Sequence, residues 1–402
     1  MTANATDTPP LKALTGLRIL VALRVVFHHY ATPLFVGWPA PLAAVVNNEF
    51  IGVSTFFVLS GFVLAYAYGN PERGLLRRED FWVNRLARVY PVYLLGFVLI
   101  APLELWNNVQ VNGLVRGLEQ SAMTGSLAAL LLHAWTPWTM YSWNFPSWSI
   151  SVEAFFYLLF PLLLPWLARQ STPRLLGGLG LAWLAGLLVP LLAVLFYLHH
   201  PLGPSAWIAV VGALRGLPLL RLPEFVFGLI AGLLFLRRVH WPRSLRWTLR
   251  PWVPYAAGLG LWLGLSLPTE PWRPVWENGF LAPLMALLFT GLAGAPSLLA
   301  SGLSTPVLVL LGESSYAVFI LQAPVADWMR LALGEMGLGS AFRGVSFTDG
   351  RLFALYLLLL LGLSLLTSRR LEQPLRRVLR QRLRAAVSSV SAEGARPGAR
   401  QP

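Results

Sequence analysis

The chain has no cysteine and a single lysine, Lys12, in 402 residues. Without thiols there are no disulfides, no thiolate nucleophile and no Cys-ligated zinc. Charge of either sign is scarce. Charged residues make up 12% of the chain, against about a quarter in soluble domains, which excludes an ordinary soluble fold. Hydrophobic residues reach 56% and the mean hydropathy is +0.61, so an integral membrane protein is expected. Acids are fewer still, 17 against 31 basic residues, for a net charge of +14. In a soluble chain that excess would point to nucleic acid. Here the arginines cluster between apolar runs, where the positive-inside rule accounts for them, and no nucleic-acid partner is expected.

About 20 apolar residues cross a bilayer. Ten spans are predicted near 14–36, 50–68, 87–106, 149–168, 176–198, 217–236, 252–268, 278–295, 304–325 and 351–368. The Arg-bearing connections at 69–86, 169–175 and 237–251 then follow even numbers of crossings, as does the tail from Arg369. That puts both termini in the cytoplasm. This count requires the weakly apolar stretch 121–138 not to cross. It contains Thr124, Ser126, His133 and Pro137 and is followed by Trp138, Trp143 and Trp148, which suits an interfacial or re-entrant segment. The fold class is thus an all-α polytopic membrane protein of about ten transmembrane helices plus that segment. Residues 1–13 read as a disordered cytoplasmic lead, 14–368 as one membrane domain, 369–384 as a basic amphipathic cytoplasmic helix, and 385–402 as a disordered tail.

Ionisable residues inside spans are expensive and mark functional sites. Arg18 and His29, eleven residues apart, return to nearly the same face of the first helix, about 16 Å apart along its axis. On spacing alone His29 reads equally well as a proton acceptor or as a buried histidine bonded to backbone. Arg18 reads as an anion contact or as a side chain snorkelling to the interface. Arg24 lies off that face with no partner evident, and His28 reads as structural. Arg85 and Arg88 share a face at a cytoplasmic mouth, which positive-inside anchoring alone would explain. Arg221 and Glu224 read as a structural ion pair beside Pro223. Ser60 reads as a packing residue. His199-His200 has nothing nearby to complete a metal set, so no metal site is expected.

Several elements occur together in order: Gly16-Leu17-Arg18 with Phe27-His28-His29, Phe56 to Phe62, Arg85-Leu86-Ala87-Arg88-Val89-Tyr90-Pro91, and Trp148-Ser149-Ile150-Ser151-Val152-Glu153. Weaker echoes follow at Leu222 to Phe225, Leu311 to Tyr316 and Glu372 to Leu375. With these the chain resembles the acyltransferase-3 family of bacterial integral membrane O-acyltransferases, as a stand-alone member. It departs from the family pattern at Thr15, where Asp is frequent, and at Gln322, where His is frequent. A glutamine cannot exchange protons near neutral pH, so no proton-transfer role is expected at that position.

The resemblance implies transfer of an acyl group, usually acetyl, from cytoplasmic acyl-CoA to a hydroxyl. The acceptor would be a polysaccharide, a lipid-linked glycan or a glycosylated small molecule, and the site the cytoplasmic membrane of a bacterium. His29 becomes the general base or an acyl relay, and Arg18, Arg85 and Arg88 the donor contacts. Glu153 reads either as an acid favoured near a helix N-terminus or, by an estimate of depth, as the carboxylate that orients His29. Trp148, Ser149 and Ser151 seat that helix start and are assigned to the acceptor side, with Ser149 beside Glu153. Family members often carry a periplasmic esterase-like domain; the chain is expected to lack one and to act alone or with a separate periplasmic partner. A glycan or lipid transporter would share the spans and buried charges, but no internal duplication supports that alternative.

Overall fold

A computed structural model describes residues 11–47, 50–70, 77–241, 244–267, 271–334, 346–379 and 381. The described residues are helical and contain no strand. In chain order the helices are α1 (Lys12–Ala31), α2 (Ala40–Asn47), α3 (Phe50–Tyr68), α4 (Arg78–Asn112), α5 (Leu114–Ala129), α6 (Trp148–Ala168), α7 (Thr172–His199) and α8 (Pro204–Gly216). They continue as α9 (Pro218–Leu236), α10 (Val253–Ser266), α11 (Arg273–Glu277), α12 (Ala282–Gly294), α13 (Leu298–Leu303), α14 (Pro306–Glu313), α15 (Ser315–Ala332) and α16 (Gly350–Thr367).

Among the described residues, seven helices are long and apolar enough to cross a membrane, or eight when α14 and α15, bent by 60° at Ser314, count as one span. Two of the ten predicted crossings fall short of that measure for simple reasons. Helix α1 carries Lys12, Arg18 and Arg24, and α10 is only 14 residues long.

Helices without a hydrophobic drive between them associate where small residues let backbones approach. The parallel pair α3 and α9 does so. A Cβ on Gly228 would sit 2.0 Å from the Val58 carbonyl oxygen, and one on Gly61 2.2 Å from that of Phe225. The spacing Gly228-x-x-x-Gly232 repeats the contact one turn on, against Phe62. Helix α1 is fixed in the same way, Gly16 against Leu303 and Gly312 of α14 against Thr15, which sets the height of Arg18.

The segment 114–147 does not cross. The chain turns at Gly113, with φ +78°, and α5 descends along α4 until Tyr90 and Tyr93 donate to the carbonyls of Ala129 and Ala128 at 3.0 and 2.6 Å. Tyr93 lies 19 residues below the end of α4, roughly 28 Å along its axis. The irregular stretch 130–147 is therefore deep in the bundle. Non-helical backbone is tolerated at that depth only when wrapped in protein. Ser151 donates to the Leu131 carbonyl at 2.5 Å, Thr139 to that of His133 at 2.8 Å, and the Trp143 indole to Thr124 at 3.0 Å. Leu131 and Trp143 take positive φ angles here, a strained backbone that such packing holds in place.

Proline carbonyl partners tie further elements together. Pro161 has no N–H for the Tyr157 carbonyl, which accepts the Trp82 indole instead at 3.0 Å. At the end of α9, Arg237 donates to the carbonyls of Ala168 and Gln170 and clamps the α6–α7 turn. Instead of starting a separate surface helix at 369, the chain continues α16 through a π-turn, Ser368–Glu372, and on to Leu379. Of the predicted lead 1–13, residues 1–10 lie outside the described residues, as does the predicted tail 385–402, whereas Lys12 and Ala13 already belong to α1.

Candidate active site

His29, in the last turn of α1, is half-buried. Its Nδ1 lies 2.9 Å from Gln322 Oε1. The Gln322 amide is itself oriented, because its Nε2 donates to the Phe319 carbonyl at 2.8 Å and leaves the oxygen towards the imidazole. Nδ1 must then carry the hydrogen of this bond, so that any lone pair on the ring belongs to Nε2. Pro324 cannot bond the Ile320 carbonyl, and Asn144 Nδ2 does so at 2.8 Å. That bond draws the loop bearing Tyr141 and Phe145 across α15, and Phe145 meets the His29 ring edge-on at 4.9 Å. His29, Tyr141, Phe145 and Trp148 line a cavity of about 160 Å³ together with Arg215, Arg221 and Glu277.

The charged wall of this cavity centres on Glu277, whose side chain is 2% exposed. Arg215 grips its carboxylate with two nitrogens, at 2.7 and 3.2 Å, and reaches Tyr141 OH at 3.1 Å. Arg273, one turn before Glu277, adds a bond of 2.8 Å. Two-pronged guanidinium–carboxylate pairs are among the strongest and most directional polar contacts. Behind them, Arg221 pairs with Glu224 at 2.9 Å and donates to Ser54, to Asn278 Oδ1 and to the Glu277 carbonyl, locking α9 to the α11–α12 junction and α3. Gly279, at φ +87°, lies against the Glu224 side chain; a Cβ there would be 2.8 Å from Glu224 Cγ.

A second, smaller void of about 50 Å³ lies below, lined by Arg18, Glu153, Ser149, Ser315 and Tyr316. Val53 and Phe319 border both spaces and form the wall between them. Glu153 receives hydrogen bonds from Ser60 and Tyr157 and has Arg18 and Arg88 as its cationic neighbours. Arg88 also faces Glu372.

Several expectations change on this geometry. Glu153 does not orient His29; it belongs to the lower cluster, and Gln322 is the imidazole's partner. Arg18 and His29 share a helix face but open on different spaces. Ser149 does not bond Glu153 and instead donates to the Pro146 carbonyl at 3.2 Å. Ser151, 1% exposed, bridges Leu131 and Ala134 and borders neither space. Trp148 does line the upper cavity. Arg85 and Arg88 diverge: the Arg85 guanidinium lies among the rings of Tyr68, Phe81 and Tyr157, at 6.0, 5.6 and 5.9 Å, and borders an apolar groove between α4 and α6. Ser60 contributes a hydroxyl to Glu153 beyond packing. Arg24 finds the Val45 carbonyl at 2.8 Å and His28 that of Val46 at 2.8 Å. Arg221 and Glu224 form the ion pair their spacing suggests. Among the described residues no three His, Asp or Glu side chains gather as a metal set.

Sequence reasoning missed Arg215, Arg273 and Glu277. A signal was present. Three arginines, 215, 221 and 273, fall at predicted span ends on the side opposite the arginine-rich connections, where the positive-inside rule predicts few, so the sequence alone called for a specific reason at each.

These features define a polytopic helical membrane protein with a polar site enclosed in its bundle. The chain belongs to the acyltransferase-3 family: residues 11–369 match the acyltransferase domain. It is 31% identical over 337 residues to acyltransferase MdmB of Streptomyces mycarofaciens, covering 81% of this chain and 82% of that protein. Nodulation protein 10 of Rhizobium leguminosarum bv. viciae is 25% identical over 353 residues, with 80% and 84% covered. The peptidoglycan O-acetyltransferase OatA of Listeria monocytogenes is 26% identical over 200 residues; the match covers 44% of this chain and 29% of that protein. No solved structure matches the chain.

Proposed function

We propose that the protein moves an acyl group, acetyl in the simplest case, from cytoplasmic acyl-CoA to a hydroxyl of a carbohydrate acceptor. The acceptor is a polysaccharide, a lipid-linked glycan or a glycosylated small molecule, and the setting a bacterial cytoplasmic membrane with both chain termini on the cytoplasmic side. The observation that carries this reading is the His29 imidazole, fixed in one tautomer by Gln322 and lining a cavity whose opposite wall is the Arg215–Glu277 pair. Aromatic faces at Tyr141 and Trp148 beside directional charged groups suit a sugar, which offers apolar ring faces and many hydroxyls.

The donor is held from below. Arg88 and Arg18 supply charge for the phosphates and thioester head, and the acceptor enters the upper cavity. At the wall between the spaces, the acceptor oxygen adds to the thioester carbonyl carbon while His29 Nε2 takes its proton. The carbon–sulfur bond then breaks, and the departing thiolate recovers that proton. With no cysteine in the chain, no thioester is formed on the protein itself. The names of the O-acetyltransferase relatives support a hydroxyl acceptor.

The test is turnover of radiolabelled acetyl-CoA by purified protein with a glycan acceptor. His29→Ala is expected to abolish transfer, and Arg88→Ala to raise KM for the donor. Transfer by both variants at the wild-type rate removes the named residues from the reaction.

A further inference from the structure

The lower void holds a feature that the roles above do not use. Ser315 is 1% exposed, lines the void together with Arg18, and its hydroxyl has no hydrogen-bond partner among the described residues. A buried hydroxyl left unpaired is costly, so such a group calls for an explanation. Ser315 is also the first residue of α15, an 18-residue helix that starts at the sharp bend after Ser314. The first bond made to Ser314's carbonyl comes from the Val318 N–H at 3.0 Å. The N–H groups of Ser315, Tyr316 and Ala317 precede it, at the positive end of the helix dipole. A guanidinium, an unpaired hydroxyl and a helix N-terminus thus meet around one small space.

We infer that this space is the binding site for the carbonyl oxygen of the acyl thioester, with the Ser315 hydroxyl and the α15 N-terminus as its donors. This rests on the acyl-transfer reading and specifies where the reacting carbonyl lies. Size selects the group. A void of about 50 Å³ holds only a few waters' worth of atoms, enough for a short acyl head and too little for a nucleotide's phosphates. The same face of α15 continues the assignment at i, i+4 and i+7. Ser315 meets the carbonyl, Phe319 forms the wall to the acceptor, and Gln322 fixes His29, spanning roughly 10 Å along the axis. As the acceptor oxygen bonds to the carbon, the carbonyl oxygen gains negative charge that these donors offset, and it returns to a double bond when the thiolate leaves.

Ser315→Ala in the full chain separates this role from a structural one. Three quantities are read: thermal unfolding in detergent, affinity for acyl-free CoA, and turnover of acetyl-CoA. Removing an unpaired buried hydroxyl leaves Tm unchanged or raises it. CoA without an acyl group binds as tightly as to wild type, while turnover falls about 10²-fold, as for loss of one oxyanion donor. Turnover equal to wild type overturns the inference. A parallel loss of CoA affinity overturns it in favour of a phosphate site, and a lowered Tm overturns it in favour of a structural bond. If the wild-type protein binds CoA but Ser315→Ala is fully active, only this inference fails. If wild type neither binds CoA nor consumes acetyl-CoA, the acyl-transfer reading fails with it.

Discussion

Gln322 accepts a hydrogen bond from His29 Nδ1 at 2.9 Å while donating to the Phe319 carbonyl at 2.8 Å, so a neutral amide sets the tautomer of the imidazole. Glutamine can do this without exchanging a proton, because its two ends are chemically distinct and one is already committed. Gln322 therefore orients the imidazole without itself exchanging a proton.

Gln322→Leu removes the acceptor and frees the ring to adopt the other tautomer. The expected result is a fall in kcat of at least 10-fold with little change in either KM, the pattern of a lost orienting partner. Steady-state kinetics on both substrates checks it, and an unchanged kcat excludes the tautomer role.

Glu277 joins Arg215 of α8 to Arg273 of its own helix α11, and its side chain is only 2% exposed. Glu277→Ala removes the carboxylate that both guanidiniums share, while Arg215 keeps its bond to Tyr141. Because those arginines are 20% and 32% exposed, solvent relieves part of the cost, and a loss of about 1–3 kcal/mol is expected. Thermal unfolding in detergent measures it, and a raised acceptor KM with unchanged donor KM distinguishes the acceptor wall from a general loss of fold.

The expected partnership of Glu153 with His29 failed for a reason the chain conceals locally. The depth estimate assumed that α6 begins at the outer face, as an uninterrupted span would. In fact α5 and the loop 130–147 have already descended to Tyr93, so α6 starts deep and Glu153, six residues past Ser147, falls to the level of Arg18. Some same-helix signals were legible, namely the Arg221–Glu224 pair at i,i+3 and the shared face of Arg18 and His29, but spacing alone did not flag Arg273–Glu277 at i,i+4 and wrongly paired Ser149 with Glu153. Contacts such as Arg215 with Glu277, 62 residues apart, and His29 with Gln322, 293 apart, depend on how helices are stacked, which periodicity does not report.

The α3–α9 crossing makes the strongest prediction about stability. The space beside Gly228 is filled by the Val58 backbone, and backbone cannot swing aside as a side chain can. Gly228→Leu is expected to cost at least 3 kcal/mol, at or beyond the usual range for overpacking, and to abolish the monodisperse protein. Gly178, whose Cβ position meets only the tip of Ile230 at 3.5 Å, is the control; Gly178→Ala is expected to fold normally. Size-exclusion profiles of the two variants decide the matter, and equal behaviour would show that α3 and α9 do not cross this closely.

Phe319 contributes its ring to the wall between the two spaces and packs edge-on against Phe56 at 5.9 Å. An enclosed site protects a thioester by keeping water from it until the acceptor arrives. Phe319→Ala opens the wall and joins the lower void to the upper cavity, so water reaches the carbonyl without an acceptor present. Acetyl-CoA hydrolysis in the absence of glycan should rise several-fold, while the fraction of acetyl delivered to acceptor falls. The backbone carbonyl that orients Gln322 is retained, so the His29 tautomer is preserved and the effect isolates the ring. Free thiol release measured with and without acceptor gives the ratio directly. A ratio equal to that of wild type would mean that the donor and acceptor spaces are separated by something other than Phe319.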